Sequence, residues 1–217
     1  MRKLWPGVLL VLASAAFGAA MWSRLPLRVA SHWNASGQVN GWTSRTALLI
    51  LLPALALVMA VVLRYVPQID PKRRNFPLHA PAYWLVVNVL LGFLAVIHVA
   101  IVGYNLGWTV SLNTVIGIAL GVLFIITGNV LTRVRPNWIF GVRTPWTLSS
   151  DLSWRETHRL AGYLFVATGI LVLLCGLVRP AAMVAVLMTG LIASALVSVV
   201  YSYFAWKRDP NAQGREA

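Results

Sequence analysis

The sequence predicts an all-α polytopic membrane protein of about six transmembrane helices, with an ordered outer loop and a structured inner loop. Three observations predict it. Of 217 residues, 59% are hydrophobic and 11% charged, and the mean hydropathy is +0.76, whereas soluble domains carry about 25% charged residues. Six continuous apolar runs are long enough to cross about 30 Å of hydrocarbon, which takes roughly 20 helical residues. Barrel strands would instead alternate over about ten residues. The third observation is the charge: the net +13 is unevenly distributed between the two sides.

The runs fall at 4–22, 46–66, 82–106, 113–132, 160–178 and 181–206. With the N-terminus inside, 14 of the 18 basic residues lie on the cytoplasmic side, among them Arg64, Lys72, Arg73, Arg74, Arg133, Arg135, Arg143, Arg155, Arg159, Lys207 and Arg208. Arg24, Arg28, Arg45 and Arg179 remain outside. This is the asymmetry of the positive-inside rule. It assigns the basic charge to topology and anionic lipid rather than to a nucleic-acid partner, and it puts both termini in the cytoplasm of a cell-membrane protein.

The first run, after Met1-Arg2-Lys3, also mimics a secretory signal peptide. Its continuation to Trp22, a residue suited to the interface, favours a retained first span. The outer loop 23–45 follows. Pro26 with Leu25, Leu27 and Val29 suggests a short extended piece, and Asn34, Gly37, Asn40 and Gly41 supply turn residues. The second span leads to the inner loop 67–81, which carries Lys72-Arg73-Arg74 and four prolines. It reads as a solvated connection near anionic lipid. In the third span His98 reads as a partner in one interhelical hydrogen bond. In the fourth, Gly117 and Gly121 form a close-packing pattern, with Gly128 beyond.

The segment 129–162 between the fourth and fifth spans is the most informative. It holds five of the 18 basic residues, two of the five acidic ones, three Trp, two Pro and one His. Such a composition suits a folded element at a lipid–water boundary. Arg135-Pro136-Asn137 reads as a turn, and Thr144-Pro145 forces a second extended piece. Ser153-Trp154-Arg155-Glu156 reads as a capping box, with Ser153 as N-cap and the helix starting at Trp154. Trp154, Thr157, His158 and Ala161 then share one face, set against the Arg143–Trp146 stretch. Glu156 and Arg159 are spaced to pair at i, i+3. Cys175, the single cysteine, lies within the fifth span as a small apolar residue.

Two segments carry a family resemblance. Leu25-Pro26, Val29-Ala30, His32-Trp33-Asn34, Gly37 and Asn40-Gly41-Trp42 resemble the short N-terminal domain that often precedes SdpI-type membrane proteins. Gly128-Asn129, Arg135-Pro136-Asn137, Phe140-Gly141, Arg143 through Leu148, Trp154 and Thr157-His158-Arg159 resemble the signature of the SdpI immunity family. At Asn40 this chain departs from the acidic residue usual in the first motif. The resemblance implies a six-helix membrane protein, not an enzyme, that protects its host from a secreted antimicrobial peptide toxin. It also implies signalling, by holding a small cytoplasmic DNA-binding repressor at the membrane.

On that basis the chain divides into a two-helix unit with its outer loop (1–66), a basic loop (67–81), an SdpI-like four-helix domain (82–206) and a tail (207–217). Candidate partner contacts on the outer side are His32, Trp33, Asn34, Gly37 and Asn40. Candidate partner-binding or structural residues on the inner side are Asn129, Pro136, Asn137, Arg143, Thr144, Pro145 and Trp146. Asp151, Trp154, Glu156, His158 and Arg159 complete that set. No cofactor is expected. No metal is expected either: there is no HExxH and no His/Cys cluster, and topology puts His32 and His158 on opposite sides. The alternative class is a small ion-coupled transporter, for which His98 and scattered Asn are the only midplane candidates and no inverted repeat supports it.

Overall fold

The computed structural model describes residues 3–109 and 111–213; Arg2 and Arg215 of the basic count lie outside the described residues. The helices are α1 (Trp5–Ala20), α2 (Arg45–Tyr65), α3 (Phe76–Asn105), α4 (Leu112–Leu131), α5 (Pro145–Ser149), α6 (Asp151–Val178), α7 (Met183–Lys207) and the short α8 (Pro210–Gln213). Among the described residues, five helical segments are long and apolar enough to cross a membrane, and α1 is a shorter apolar helix of 16 residues. The all-α polytopic architecture is therefore as the hydropathy requires. The third and fifth spans begin earlier than their apolar runs, because α3 and α6 each extend a polar first part beyond the lipid-grade sequence.

α1, α2 and α3 pack around a core of Val11, Ala56, Tyr83, Trp84, Val87 and Leu91. The small residues of α1 let α3 approach: the Gly7 N–H donates to Asn88 Oδ1 on α3 at 2.8 Å. α3 lies beside α4 as well, and α4, α6 and α7 form the second half of the bundle.

The contact between α4 and α6 is backbone to backbone at three levels. A β-carbon on Gly117 would lie 2.6 Å from Gly176 Cα, one on Gly121 2.7 Å from the Gly169 carbonyl, and one on Gly128 2.6 Å from the Gly162 carbonyl. The Gly117 and Gly121 pattern thus joins two helices of the same chain. His98 is fully buried, facing α1 near Gly18. The ring lies beside the Ser14 backbone of α1, the kind of interhelical partner expected, but among the described residues neither ring nitrogen makes a well-formed hydrogen bond.

The outer-loop sequence folds into an antiparallel hairpin, β1 (Arg28–Trp33) with β2 (Val39–Ser44). Strand pairing starts at Arg28, so Leu25 and Leu27 lead into the strand rather than forming it. Pairing skips Ser31, which leaves Ala30 opposite Trp42 and His32 opposite Gly41. The hairpin sits at one end of the bundle. The connections 66–75 and 132–150 sit together at the other.

Candidate functional site: a stapled loop at one end of the bundle

The 132–150 connection is built from internal hydrogen bonds. Asn137 is buried and uses its whole amide: Nδ2 donates to the carbonyls of Arg135 (2.8 Å) and Phe140 (3.0 Å), and Oδ1 accepts from the N–H groups of Ile139 (2.8 Å) and Phe140 (2.6 Å). The chain closes on this one side chain and turns at Gly141, whose φ is +110°. The next N–H, of Val142, donates to His158 Nε2 at 3.1 Å. A backbone N–H can only donate, so Nε2 carries the lone pair and Nδ1 the proton, which goes to the Trp154 carbonyl at 2.8 Å. The His158 ring stacks on Trp154 with centroids 4.0 Å apart, and the Trp154 indole N–H donates to Val134 O at 2.7 Å. Trp154, Thr157, His158 and Ala161 are all buried, as their shared face predicts.

Thr144 and Thr147 cap the short helix α5 reciprocally, with Pro145 in its first turn. Thr144 Oγ1 also lies 3.0 Å from Ser202 Oγ on α7. Two expectations fail here. The N-cap of α6 is Ser150, whose Oγ accepts from the Ser153 N–H at 3.0 Å. Ser153 is already inside the helix and fully buried, and its hydroxyl donates to the Ser202 carbonyl at 2.7 Å. Packing against α7 claims Ser153, and the preceding serine takes the cap. Glu156 likewise does not turn to Arg159. It meets Arg208, 2.8 Å away, and accepts the Tyr201 hydroxyl at 3.0 Å. The exposed Arg208 has its pKa raised, first by the hydrogen bond to Tyr201 and next by the Glu156 charge. Ser150 Oγ donates to Asp209 Oδ2, so the chain after α7 is tied to the same helix start.

The 66–75 connection is solvent-exposed along half its length, as its prolines and basic residues suggest, but it is also tied to the second connection. Asp70 is buried, accepting the Lys72 N–H at 2.7 Å on Oδ1 and the Trp138 N–H at 3.1 Å on Oδ2. Asn75 Nδ2 donates to Pro136 O at 2.8 Å, and Lys72 Nζ to Leu148 O at 3.1 Å. Three side chains of the first connection therefore hold the backbone of the second. Asp70, Asn75, Ser150, Ser202 and Asp209 escaped the sequence reading because each acts on a partner more than 45 residues away.

The structure divides the candidate residues by role. Asn137, Thr144, Trp154 and His158 are buried and hold the fold of the loop. Pro136 presents the carbonyl that Asn75 binds. Trp146 packs against Tyr203 of α7, centroids 5.3 Å apart. Arg143, Asp151 and Arg159 are exposed, and Arg143 is steadied by a 2.7 Å bond from Nη1 to the Trp138 carbonyl. Asn129 is exposed on α4, apart from this network.

At the hairpin end, His32 Nδ1 and Asn40 Oδ1 form a hydrogen bond across the strands. Trp33 packs edge-on to Tyr104 with centroids 5.0 Å apart, its buried indole nitrogen without a hydrogen-bond partner among the described residues. Asn34 closes the turn by accepting the Gln38 N–H, and Gly37 adopts φ +79°. Two asparagines of the bundle grip the hairpin. Asn105 Oδ1 accepts from the Ala30 N–H at 2.8 Å and its Nδ2 donates to the Ala30 carbonyl at 3.0 Å, while Asn113 Nδ2 donates to Ala35 O at 3.0 Å. The His32 and His158 groups thus sit at opposite ends, and among the described residues no three His, Cys, Asp or Glu side chains cluster as metal ligands.

Residues 133–202 match the SdpI/YfhL protein family, and residues 9–57 match a domain of unknown function, DUF1648. The chain is similar to the immunity protein SdpI of Bacillus subtilis (strain 168), 22% identical over 208 residues that cover 96% of this chain and 98% of the relative. No solved structure matches. The stapled loop, α6 and most of α7 fall inside the first match, and most of α1, the hairpin and the first part of α2 inside the second. The chain is a multi-pass membrane protein whose residues 133–202, at the loop end, resemble the SdpI/YfhL family and whose residues 9–57, at the hairpin end, match DUF1648.

Proposed function

We propose that this chain is a non-enzymatic membrane immunity protein that protects its host against a secreted antimicrobial peptide. The observation that carries the reading is the end-to-end similarity to a protein named for immunity, which spans both ends of the bundle rather than one domain. The geometry of the loop supports binding over catalysis. Asn137 and both nitrogens of His158 are engaged by the loop's own backbone or that of α6, so these groups shape a surface and have no reacting partner.

In this reading the termini and the stapled loop face the cytoplasm and the hairpin faces outward, following the 14-to-4 distribution of basic residues. The secreted peptide meets the hairpin, with His32, Trp33, Asn34, Gly37 and Asn40 at its tip and on its strands. The cytoplasmic surface around Arg143, Trp146, Asp151 and Arg159 holds a small DNA-binding repressor, so that the same molecule signals. The division into a two-helix unit (1–66), a basic loop (67–81) and a four-helix domain (82–206) assigns the two tasks to the two ends.

The test is survival of a sensitive host exposed to the peptide, with membrane protein level measured alongside. Arg143→Lys keeps the charge but loses the planar, multidentate contacts of guanidinium, so abundance stays normal while function weakens. Full protection by Arg143→Ala combined with Arg159→Ala, at normal abundance, removes the loop from the working surface. Orientation is read by labelling a cysteine at Ser36 in a Cys175→Ser background: labelling in intact cells supports the topology, and labelling only after permeabilisation overturns it. The repressor is read by toxin-dependent recruitment of a cytoplasmic DNA-binding protein to membranes, lost in Arg143→Ala.

A further inference from the structure

Between the two connections at the loop end lies a cavity of about 680 Å³, within the range of about 300–1,000 Å³ typical of small-ligand sites. Three separate segments bring positive charge to its wall: Lys72 and Arg74 from the first connection, Arg133 and Arg135 from the chain just past α4, and Arg155 from the first turns of α6. Among the described residues, Asp151 is the one acidic residue lining it. Among the described residues, none of the four arginines has an ion-pair or hydrogen-bond partner for its guanidinium. A sequence obeying the positive-inside rule needs basic residues on this side, but it does not need them gathered around one concavity.

We infer that this cavity is a binding site for a phosphate-bearing anion, the head group of an anionic phospholipid or a soluble phosphate compound. Guanidinium groups match phosphate oxygens in planar, bidentate fashion. Unpaired like charges held around one cavity repel, and an anion in the cavity converts that repulsion into attraction. The cavity opens where α4 ends and α6 begins, at the polar ends of two helices long and apolar enough to span a membrane, and basic pockets between such helix ends recognise anionic lipids. The exposed Leu78 on its rim suits the first carbons of an acyl chain. The stapling bonds of Asp70, Lys72 and Asn75 fix the distance between the walls, so the charges converge on a preformed volume. This site borders the proposed repressor surface at Asp151, but its five basic residues lie outside that surface and the inference stands without it.

The test uses the full chain, purified in a zwitterionic detergent. Retention of phosphatidylglycerol, with phosphatidylcholine as control, is counted by native mass spectrometry, and pyrophosphate is titrated by calorimetry. The double variant Arg133→Gln with Arg155→Gln is compared with Arg64→Gln with Arg73→Gln, which removes the same charge from the same end of the bundle at residues that do not line the cavity. The site double lowers affinity for the bound anion tenfold or more, while the control double stays within twofold. Binding of phosphatidylglycerol that pyrophosphate does not displace identifies the lipid as the source; binding of pyrophosphate alone identifies a soluble one. Asp151→Asn removes the opposing carboxylate and tightens binding severalfold, a gain that does not depend on the double variant folding. Equal losses in the two doubles, no change in the site double, or no retention of either anion by the unaltered protein overturns the inference.

Discussion

A β-carbon on Gly141 would lie 2.2 Å from Nε2 of His158, the atom that accepts the next backbone N–H. Glycine is thus required at 141 twice over, by its φ of +110° and by the ring packed against it. Gly141→Ala is expected to destabilise the protein by about 2 kcal/mol or more, since a residue held in such a conformation costs of order 1–3 kcal/mol before any clash. Adding His158→Ala relieves the overlap but not the backbone strain. Thermal unfolding of the purified protein checks this; an unchanged midpoint for Gly141→Ala would remove the argument.

Asn137 closes the loop with two donated and two accepted bonds, which no other side chain of its size can reproduce. Asn137→Asp keeps the acceptors but turns both donations into repulsion between carboxylate and carbonyl. Leaving buried groups unsatisfied costs about 1–3 kcal/mol each. Proteolytic cleavage within 135–150 should rise sharply in this variant while the helices stay intact. Equal cleavage of variant and wild type would mean that other bonds hold the loop.

Ser150 and Ser153 are three residues apart and do different things. Ser150→Ala removes a helix cap, worth about 1 kcal/mol, together with the bond to Asp209. Ser153→Ala removes one interhelical bond to the Ser202 carbonyl, a type that averages about 0.6 kcal/mol in membrane proteins. The first substitution should therefore lower the unfolding midpoint more than the second. The reverse order would restore Ser153 as the cap.

Asn105 holds Ala30 by both its backbone groups. Asn105→Leu should free the hairpin without unfolding the bundle. Amide exchange of β1 would speed up by tenfold or more, with α4 and α6 unaffected. Unchanged exchange in β1 would show that Asn113 and the Leu25, Val29, Leu48 and Val102 cluster suffice.

Much of this architecture is legible in the sequence because hydropathy acts over a span and needs no partner. The face shared by Trp154, Thr157, His158 and Ala161 is legible for the same reason: helical periodicity is local. What the sequence does not disclose are choices between near and distant partners. Ser153-x-x-Glu156 has the pattern of a capping box, yet Ser202 and Arg208, 49 and 52 residues away, take both side chains. Asp70 sits among basic residues and prolines that suggest solvent, and its burial depends on the Trp138 N–H, 68 residues on. The second strand was hidden because Asn40 and Gly41 suggest a turn. They pair with His32 because Gly41 leaves the room His32 occupies.

The three glycine levels between α4 and α6 have a mechanical consequence. Where side chains interleave, a helix can slide by a fraction of an ångström as rotamers readjust. Where backbone meets backbone, as at Gly117 with Gly176, Gly121 with Gly169 and Gly128 with Gly162, no such compliance exists. The pair behaves as one splinted rod. One end of it carries Asn113, which grips the hairpin turn, and the other carries Trp154 and His158, around which the distant loop is wound. Such a rod is suited to carry a tilt imposed at the hairpin end through to the loop end.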